Sequence, residues 1–301
     1  MKHVQNTTKG TPQAASLLQK NKLPPKVAAV HDISCIGRCA ITVILPVLSV
    51  CGNQVCPLPT ALLSTHTGGY TGFTFLDLTS EMPKITDHWE TLGTVFDAVY
   101  SGFLGSADQI EIVRSFAQKA KERNPSCLFL ADPVMGDDGT TYATYTPEMC
   151  RRTRQLIADA DIITPNLTEA CILLDMPYDR QKTEAELCTM AKKLSQLCKG
   201  LVFITGIHRD INDTVGVVYY DKKTDRFGTY FTPRDPQNYP GTGDVFASVI
   251  LAGALAGLSP EVTAVKACDF ICEASHVTTM LGTPVREGLA IEPLLGRLIS
   301  G

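Results

Sequence analysis

Short apolar runs alternate along this chain with longer stretches that carry apolar residues at helical spacing. Lys26–His31 reads as a first strand and Cys39–Val50 as a helix behind it. Gln54–Leu58, Ala98–Ser101, Cys127–Ala131, Asp161–Thr164 and Leu201–Thr205 read as further strands. Ala107–Arg123, Pro147–Ala158, the stretch ending at Leu174, Glu184–Leu197, the apolar run after Asp244 and Pro260–Leu281 read as helices. Thr214–Tyr220 and Arg226–Thr232 form a predicted β-hairpin around Asp221–Asp225. Residues 64–74, rich in glycine and threonine, predict a loop or a flap of short strands. This alternation predicts a mostly parallel sheet with helices on both faces.

Ligands of such sheets bind outside the carboxyl ends of the strands. The polar motifs here follow strand ends one after another: His31-Asp32, Ser101-Gly102, Asp132, Thr164 to Glu169, Thr205-Gly206, and Gly241 to Asp244. Their common placement points to one site. The most informative is Asn-Tyr-Pro-Gly-Thr-Gly-Asp at 238–244, which runs into an apolar helix. Gly241 and Gly243 can take backbone angles closed to other residues. They also leave no side chain in the way, so the amides of Gly241, Thr242, Gly243 and Asp244 can converge on an anion at the helix start. Asp244 stands at the mouth of that site. It could take a proton from a hydroxyl while the amides hold the charge of a transferred phosphoryl group. An ordinary helix N-terminus with a first-turn carboxylate is the other reading of the same residues.

Composition narrows the class without choosing the chemistry. The 301 residues are 44% hydrophobic and 19% charged, enough for a large core. No Pro/Ser/Gly-rich linker divides the middle, so one domain over 26–301 is expected, preceded by a polar tail at 1–25. The net charge of −4 offers no electrostatic case for nucleic acid or a membrane surface. Val245–Leu258 is apolar but too short to span a bilayer. The 11 cysteines are odd in number, and residues 1–25 lack a signal-peptide core; together these point to a reducing cytoplasm and mostly buried free thiols. There is no G-x-x-x-x-G-K-[ST] run, and the glycine turn lies far from the first strand, which argues against a P-loop and a dinucleotide fingerprint.

Further motifs accompany the Gly-Thr-Gly-Asp turn. They are Asp132-Pro-Val-Met-Gly-Asp137 with Gly139 and Tyr142, Ile163-Thr-Pro-Asn-Leu-Thr-Glu169, Ser64-Thr-His-Thr67-Gly-Gly-Tyr, and Ser101-Gly-Phe-Leu-Gly-Ser. With them the chain, from about residue 26 onward, resembles the pyridoxal kinase branch of the ribokinase-like superfamily. The resemblance implies a three-layer α/β/α sandwich with a mostly parallel central sheet and a small flap. It implies transfer of a phosphoryl group from ATP to the 5-hydroxymethyl group of pyridoxal, pyridoxamine or pyridoxine. Asp244 would be the catalytic base, and Gly241, Thr242 and Gly243 the anion hole. Asp137 and Glu169 match positions linked to magnesium, and Asp132 an acidic position near the phosphates. Tyr142, Thr164, Asn166, Thr205 and Gly206 match nucleotide and phosphate neighbours. Asn166 reads equally as a helix N-cap, and Glu169 as an early-helix carboxylate. Arg234 is the nearest cation upstream of the turn; it reads as a phosphate contact or, more simply, as a solvated surface arginine.

On the substrate side the resemblance assigns Thr67 to the pyridine substituents. It places His66 as a loop-orienting or ring-stacking residue, with a packed loop histidine as the plain alternative. Phe103 stands where these kinases commonly have tyrosine. Asp32 departs from the usual serine beside the pyridine nitrogen. A carboxylate there prefers a protonated ring nitrogen or an amine or hydroxyl donor, which is expected to shift preference among the vitamers. Residues 64–80 suit a lid over the substrate. A homodimer and a monovalent cation are further implications of the resemblance. The nearest alternatives are a hydroxymethylpyrimidine kinase and a non-catalytic vitamer-binding relative.

Overall fold

The computed structural model describes residues 23–142 and 145–299; the tail expected at 1–25 lies outside them up to residue 22. A nine-stranded sheet runs through the described residues in the order β11-β10-β9-β8-β5-β4-β1-β2-β3. The strands are β1 (Lys26–Ser34), β2 (Gln54–Leu63), β3 (Phe75–Asp77), β4 (Ala98–Ser101), β5 (Leu128–Ala131), β8 (Ile162–Ile163), β9 (Leu201–Arg209), β10 (Thr214–Asp221) and β11 (Arg226–Pro233). From β9 across to β2 every neighbouring pair is parallel. β10 and β11 extend one edge antiparallel, and β3 closes the other. A two-stranded hairpin, β6 (Gly136–Asp137) with β7 (Thr140–Thr141), stands apart from the sheet.

The helices are α1 (Ile41–Val50), α2 (Met82–Thr91), α3 (Ala107–Arg123), α4 (Pro147–Ala158), α5 (Leu167–Leu173), α6 (Glu184–Ser195), α7 (Thr242–Leu255) and α8 (Pro260–Leu281). They form two layers because strand side chains alternate between faces. Val27, Ala29, Tyr100, Leu130 and Phe203 point into one core, shared with α1, α7 and α8. Ala28, Val30, Val99, Phe129 and Ile204 point into the other, shared with α3, α4, α5 and α6. Phe129 and Leu130, adjacent in β5, are both fully buried on opposite faces. Truncating a side chain so enclosed costs about 2–5 kcal/mol. The three-layer α/β/α arrangement is therefore the one the apolar pattern and the resemblance led us to expect.

The differences are local and have physical causes. β1 and β2 continue past the expected ends at His31 and Leu58, where Asp32 and Pro59 interrupt the apolar runs. They pair Ile33 with Leu62 and Ser34 with Leu63 after a register shift between His31 and Ile33. Asp32 lies in that irregularity, a device that re-aims side chains near active sites. α2 went unpredicted because in it only Met82 is buried; Trp89 adds a tilted contact with Phe96 at 5.4 Å. β3 and the β6–β7 hairpin are too short for a periodic signal. Residues 64–74 form a loop against β3, and the flap consists of that loop and strand.

One expectation fails. All 11 cysteines are free, but only Cys127, Cys171, Cys198 and Cys268 are buried; six are half-buried and Cys35 is exposed. The half-buried thiols sit where an element borders solvent, so apolar sequence surroundings overstated their burial. No helix among the described residues is long and apolar enough to cross a membrane.

Candidate active site

α7 starts at Thr242 with Gly241 as its cap, in the left-handed region at φ +86°. A Cβ on Gly241 would lie 2.2 Å from the Arg38 carbonyl oxygen, so both conformation and close approach demand glycine. α3, α4, α5, α6 and α8 each start with a Ser, Thr or Asn side chain accepting a first-turn N–H. α7 has no such side-chain cap. Its first amides are thus left to water or to a ligand. A Cβ on the exposed Gly243 would be 3.9 Å from Asp132 Oδ2, which places the Asp132 carboxyl across from the turn.

Asp244 does not turn back on its own helix. The half-buried carboxyl accepts the Ala40 N–H at Oδ2, 2.8 Å away. Ala40 itself has φ +50°, a strained angle for a non-glycine residue. Burial raises the Asp244 carboxyl to about 7; the Ala40 N–H opposes this and the Asp32 charge adds to it. A carboxyl with that pKa is half-ionised near neutrality, the range in which a general base is most effective.

Three more candidates gather around Asp132. Its carboxyl is buried and held well above the usual range by burial, then by the charges of Glu169 and Asp244. Glu169 is buried, with both oxygens engaged: Oε1 accepts Met135 N–H at 2.9 Å and Oε2 accepts Asn166 N–H at 2.8 Å. Asn166 Oδ1 in turn accepts the Glu169 N–H at 2.9 Å, completing a capping box. The plain readings of Asn166 and Glu169 as helix-start residues are therefore correct. Burial also lifts Glu169 above its ordinary value, and Asp137 adds to the rise. Asp137 is exposed on β6, its Oδ1 accepting the Asp138 N–H at 2.9 Å. Burial of its carboxyl raises it as well.

Crowded carboxyls that no Lys or Arg among the described residues pairs with suit a cation. Their donors are all oxygen, which matches magnesium rather than zinc or copper. Among the described residues no three His, Cys, Asp or Glu side chains form a metal cage. A magnesium ion there would draw its remaining ligands from water and phosphate.

Tyr142 is 43% exposed at the rim. Desolvation of its hydroxyl, then the charges of Glu169, Asp137, Asp132 and Asp244, push the phenol up. Thr164 is buried, its Oγ1 without a partner among the described residues. Thr205 pairs with Asn166 across a parallel bridge and donates its N–H to the Pro165 carbonyl at 2.9 Å. Gly206 follows at φ +67°.

Asp32 is buried and accepts the Ser34 hydroxyl at Oδ2, 2.9 Å away. Burial raises its carboxyl; the Ser34 hydroxyl and His66 oppose the rise. The buried His66 donates Nε2–H to the Arg286 carbonyl at 2.6 Å and accepts the Gly68 N–H at Nδ1, 3.1 Å away. Both nitrogens are spent, so His66 pins the 64–74 loop to the C-terminal segment. That is its loop-orienting reading. Thr67 is exposed beside it. Phe103 is half-buried, its ring 6.4 Å from that of Tyr145.

The family model described as phosphomethylpyrimidine kinase matches residues 29–286. A pyridoxal kinase of Aliivibrio fischeri is 29% identical over 69% of this chain and 74% of its own length. The chain belongs to the family of phosphomethylpyrimidine and pyridoxal kinases. A Bacteroides thetaiotaomicron structure provisionally assigned as a phosphomethylpyrimidine kinase, in a crystal form with pyridoxal, shares 44% identity, with TM-score 0.87 over 91% of this chain and 96% of that one. Pyridoxal kinase from Lactobacillus plantarum shares 29% identity, with TM-score 0.84 over 93% of this chain and 98% of that one.

Several groups of this kinase's site escaped sequence reasoning. Ala40 contributes only a backbone amide, which no motif reveals. Ser34 carries a signal in hindsight, two residues along β1 from Asp32. Tyr100 and Ser248 lie beneath the site; Tyr100 is fully buried, with Asp244 and Asp132 adding to a rise of its phenol that burial dominates. Ser248 stands one helical turn beyond Asp244, a spacing that could have flagged it. His31, named only as part of a strand-end motif, is kept neutral: burial lowers it to about 3. It packs edge-on against Tyr100 at 4.4 Å, in space that Gly102 leaves open. A cleft lined by Gln118, Lys121, Asp159 and Lys199 lies at the opposite, amino-terminal ends of the strands and shares none of this chemistry.

Proposed function

We propose that this protein, acting through one domain over 26–301, transfers the γ-phosphoryl group of ATP to the 5-hydroxymethyl group of pyridoxal, pyridoxamine or pyridoxine. The observation that carries the reading is the pairing at α7: uncapped amides beside a carboxyl raised to about 7. Asp244 takes the hydroxyl proton as the oxygen attacks the γ-phosphorus. The bond from that phosphorus to the β,γ-bridging oxygen breaks, and ADP leaves. The amides of Gly241, Thr242 and Gly243 receive the charge on the moving phosphoryl oxygens. Most of the acceleration is positioning and charge placement.

Magnesium supplies charge neutralisation on the nucleotide phosphates when bound. Asp137 would hold it directly or through water, with Glu169 and Asp132 behind. Thr164, Asn166, Thr205, Gly206 and Tyr142 border the nucleotide; Asp32, Thr67, His66 and Phe103 border the vitamer. Exposed Phe75 and Leu76 on the edge strand β3 support the homodimer that the resemblance implies. The reading places the enzyme in the cytoplasm.

The test is ATP-dependent phosphorylation of pyridoxal, pyridoxamine, pyridoxine and hydroxymethylpyrimidine side by side. Turnover of a B6 vitamer is the expected result. Selective turnover of the pyrimidine, which the description of the family model keeps in view, would replace the pyridine reading. Binding of vitamers without turnover of any would replace the kinase.

A further inference from the structure

Three basic side chains converge beyond the carboxyl ends of β9 and β11, at the amino end of the antiparallel β10 and next to the hairpin that carries Asp137. Arg180 lies in the connection between α5 and α6, His208 in β9, and Arg234 one residue past β11. The Arg234 N–H donates to the Asp213 carbonyl at 3.0 Å, which fixes it at the sheet end. The Arg180 segment is held from two sides. The Gln181 side chain donates to Asp210, just after β9, and the Tyr178 ring packs where a Cβ on Gly139 would sit, 2.7 Å away.

The charge there is poorly neutralised. Arg180 reaches Asp210 only at 3.6 Å and Arg234 reaches Asp213 only at 3.8 Å, with those partners 56% and 79% exposed. Pairs that long and that wet contribute little. By contrast, Arg209 is consumed: it donates to Glu184 at 3.1 Å and stacks 3.7 Å over the Phe231 ring. Arg180 Nε, Arg234 Nε and His208 Nδ1 are each buried without a partner among the described residues. Buried donors are seldom left empty in a folded protein. The charges that face His208 are Arg180, Arg234, Asp138 and Asp210; burial first, then the two arginines, lower its pKa against the two aspartates and keep it neutral.

We infer that Arg180, His208 and Arg234 form a polyphosphate subsite that clamps the phosphate chain of the nucleotide on the side away from the α7 turn. Guanidinium groups bind phosphate oxygens through paired N–H donors at fixed geometry. The neutral His208 imidazole beside them offers a donor without adding repulsion. The neighbouring Asp138 marks where the clamp ends and the magnesium carboxylates begin. This inference rests on the phosphoryl-transfer reading, and it adds residues that the glycine turn and the motifs after β5 and β8 do not contain.

The experiment is calorimetric titration of the full chain with sodium tripolyphosphate and with ADP, for wild type, Arg180→Gln, Arg234→Gln, the double variant, and Arg209→Gln as a control. Each single substitution should weaken both ligands about tenfold and the double about a hundredfold. Arg209→Gln should match wild type. In turnover assays KM for ATP should rise in step, with KM for the vitamer within about twofold and the melting temperature unchanged. Wild-type affinity for ADP and tripolyphosphate in the double variant would overturn the subsite. So would equal rises in both KM values, which would mark a structural role. If wild type binds ADP tightly and the arginine variants lose it, yet no vitamer is phosphorylated, the subsite stands and the substrate reading falls.

Discussion

α5 and α7 start in the same way on paper and serve different ends. Each follows a strand end, and each carries a carboxylate at the third helical position, Glu169 and Asp244. In α5 the carboxylate folds back onto the Asn166 N–H, and Asn166 caps the helix in return. That terminus satisfies itself. In α7 the cap is a glycine in the left-handed region, and Asp244 reaches across to Ala40. Its own first-turn amides stay available, and its carboxyl faces the open site. One residue at each helix start makes the difference: Asn166 supplies an acceptor where Gly241 supplies only a bend. A closed terminus builds structure, and an open one can hold a transferring phosphoryl group.

Breaking the open terminus should have the largest effect. Asp244→Asn keeps the size but loses the base, and steady-state phosphorylation of pyridoxal should fall about a thousandfold. Loss of less than tenfold would reassign the base. Gly241→Ala adds a Cβ that must meet the Arg38 carbonyl and occupy φ +86°. Turnover should drop about a hundredfold through misplaced amides, with a stability loss of about 1–3 kcal/mol in denaturant titration. An alanine variant as active as wild type would show that the turn geometry is not needed.

The closed terminus should respond differently. Glu169→Gln keeps an acceptor for only one of the Met135 and Asn166 N–H groups and turns an amide NH2 on the other, so chemical denaturation should show a loss of about 1–3 kcal/mol with the fold kept. The magnesium concentration giving half-maximal rate should nevertheless rise about tenfold, because a buried charge near Asp137 is gone. Unchanged magnesium dependence would leave Glu169 a purely structural cap. The smallest effect belongs to Asp32→Ser. The order of kcat/KM among pyridoxal, pyridoxamine and pyridoxine should change by a few-fold, and an identical order would remove Asp32 from specificity.

Periodicity carried the fold well wherever an element buried a full stripe, as in α3, α4 and α8, whose ends match the apolar pattern. It failed where burial was thin, as in α2, and where pairing rather than composition extends a strand, as at Ile33 and Leu62. The candidate site was legible as a set of side chains because strand-end polar motifs converge in this topology. What stayed hidden was backbone and second-layer contact: the Ala40 amide, the Ser34 hydroxyl on Asp32, and the Arg286 carbonyl that holds His66. Such partners lie up to 220 residues away in sequence. No local pattern encodes them.

The pH dependence of kcat/KM for pyridoxal, in wild type and in Asp32→Ser, tests the central claim most directly. Asp244 must be ionised to accept the proton, and burial with the Asp32 charge holds its carboxyl up to about 7. The rate should therefore rise with pH through a midpoint near 7 and level off above it. Removing the Asp32 charge should move that midpoint to lower pH. A flat profile across this range, or a midpoint unmoved by Asp32→Ser, would contradict a base tuned in this way.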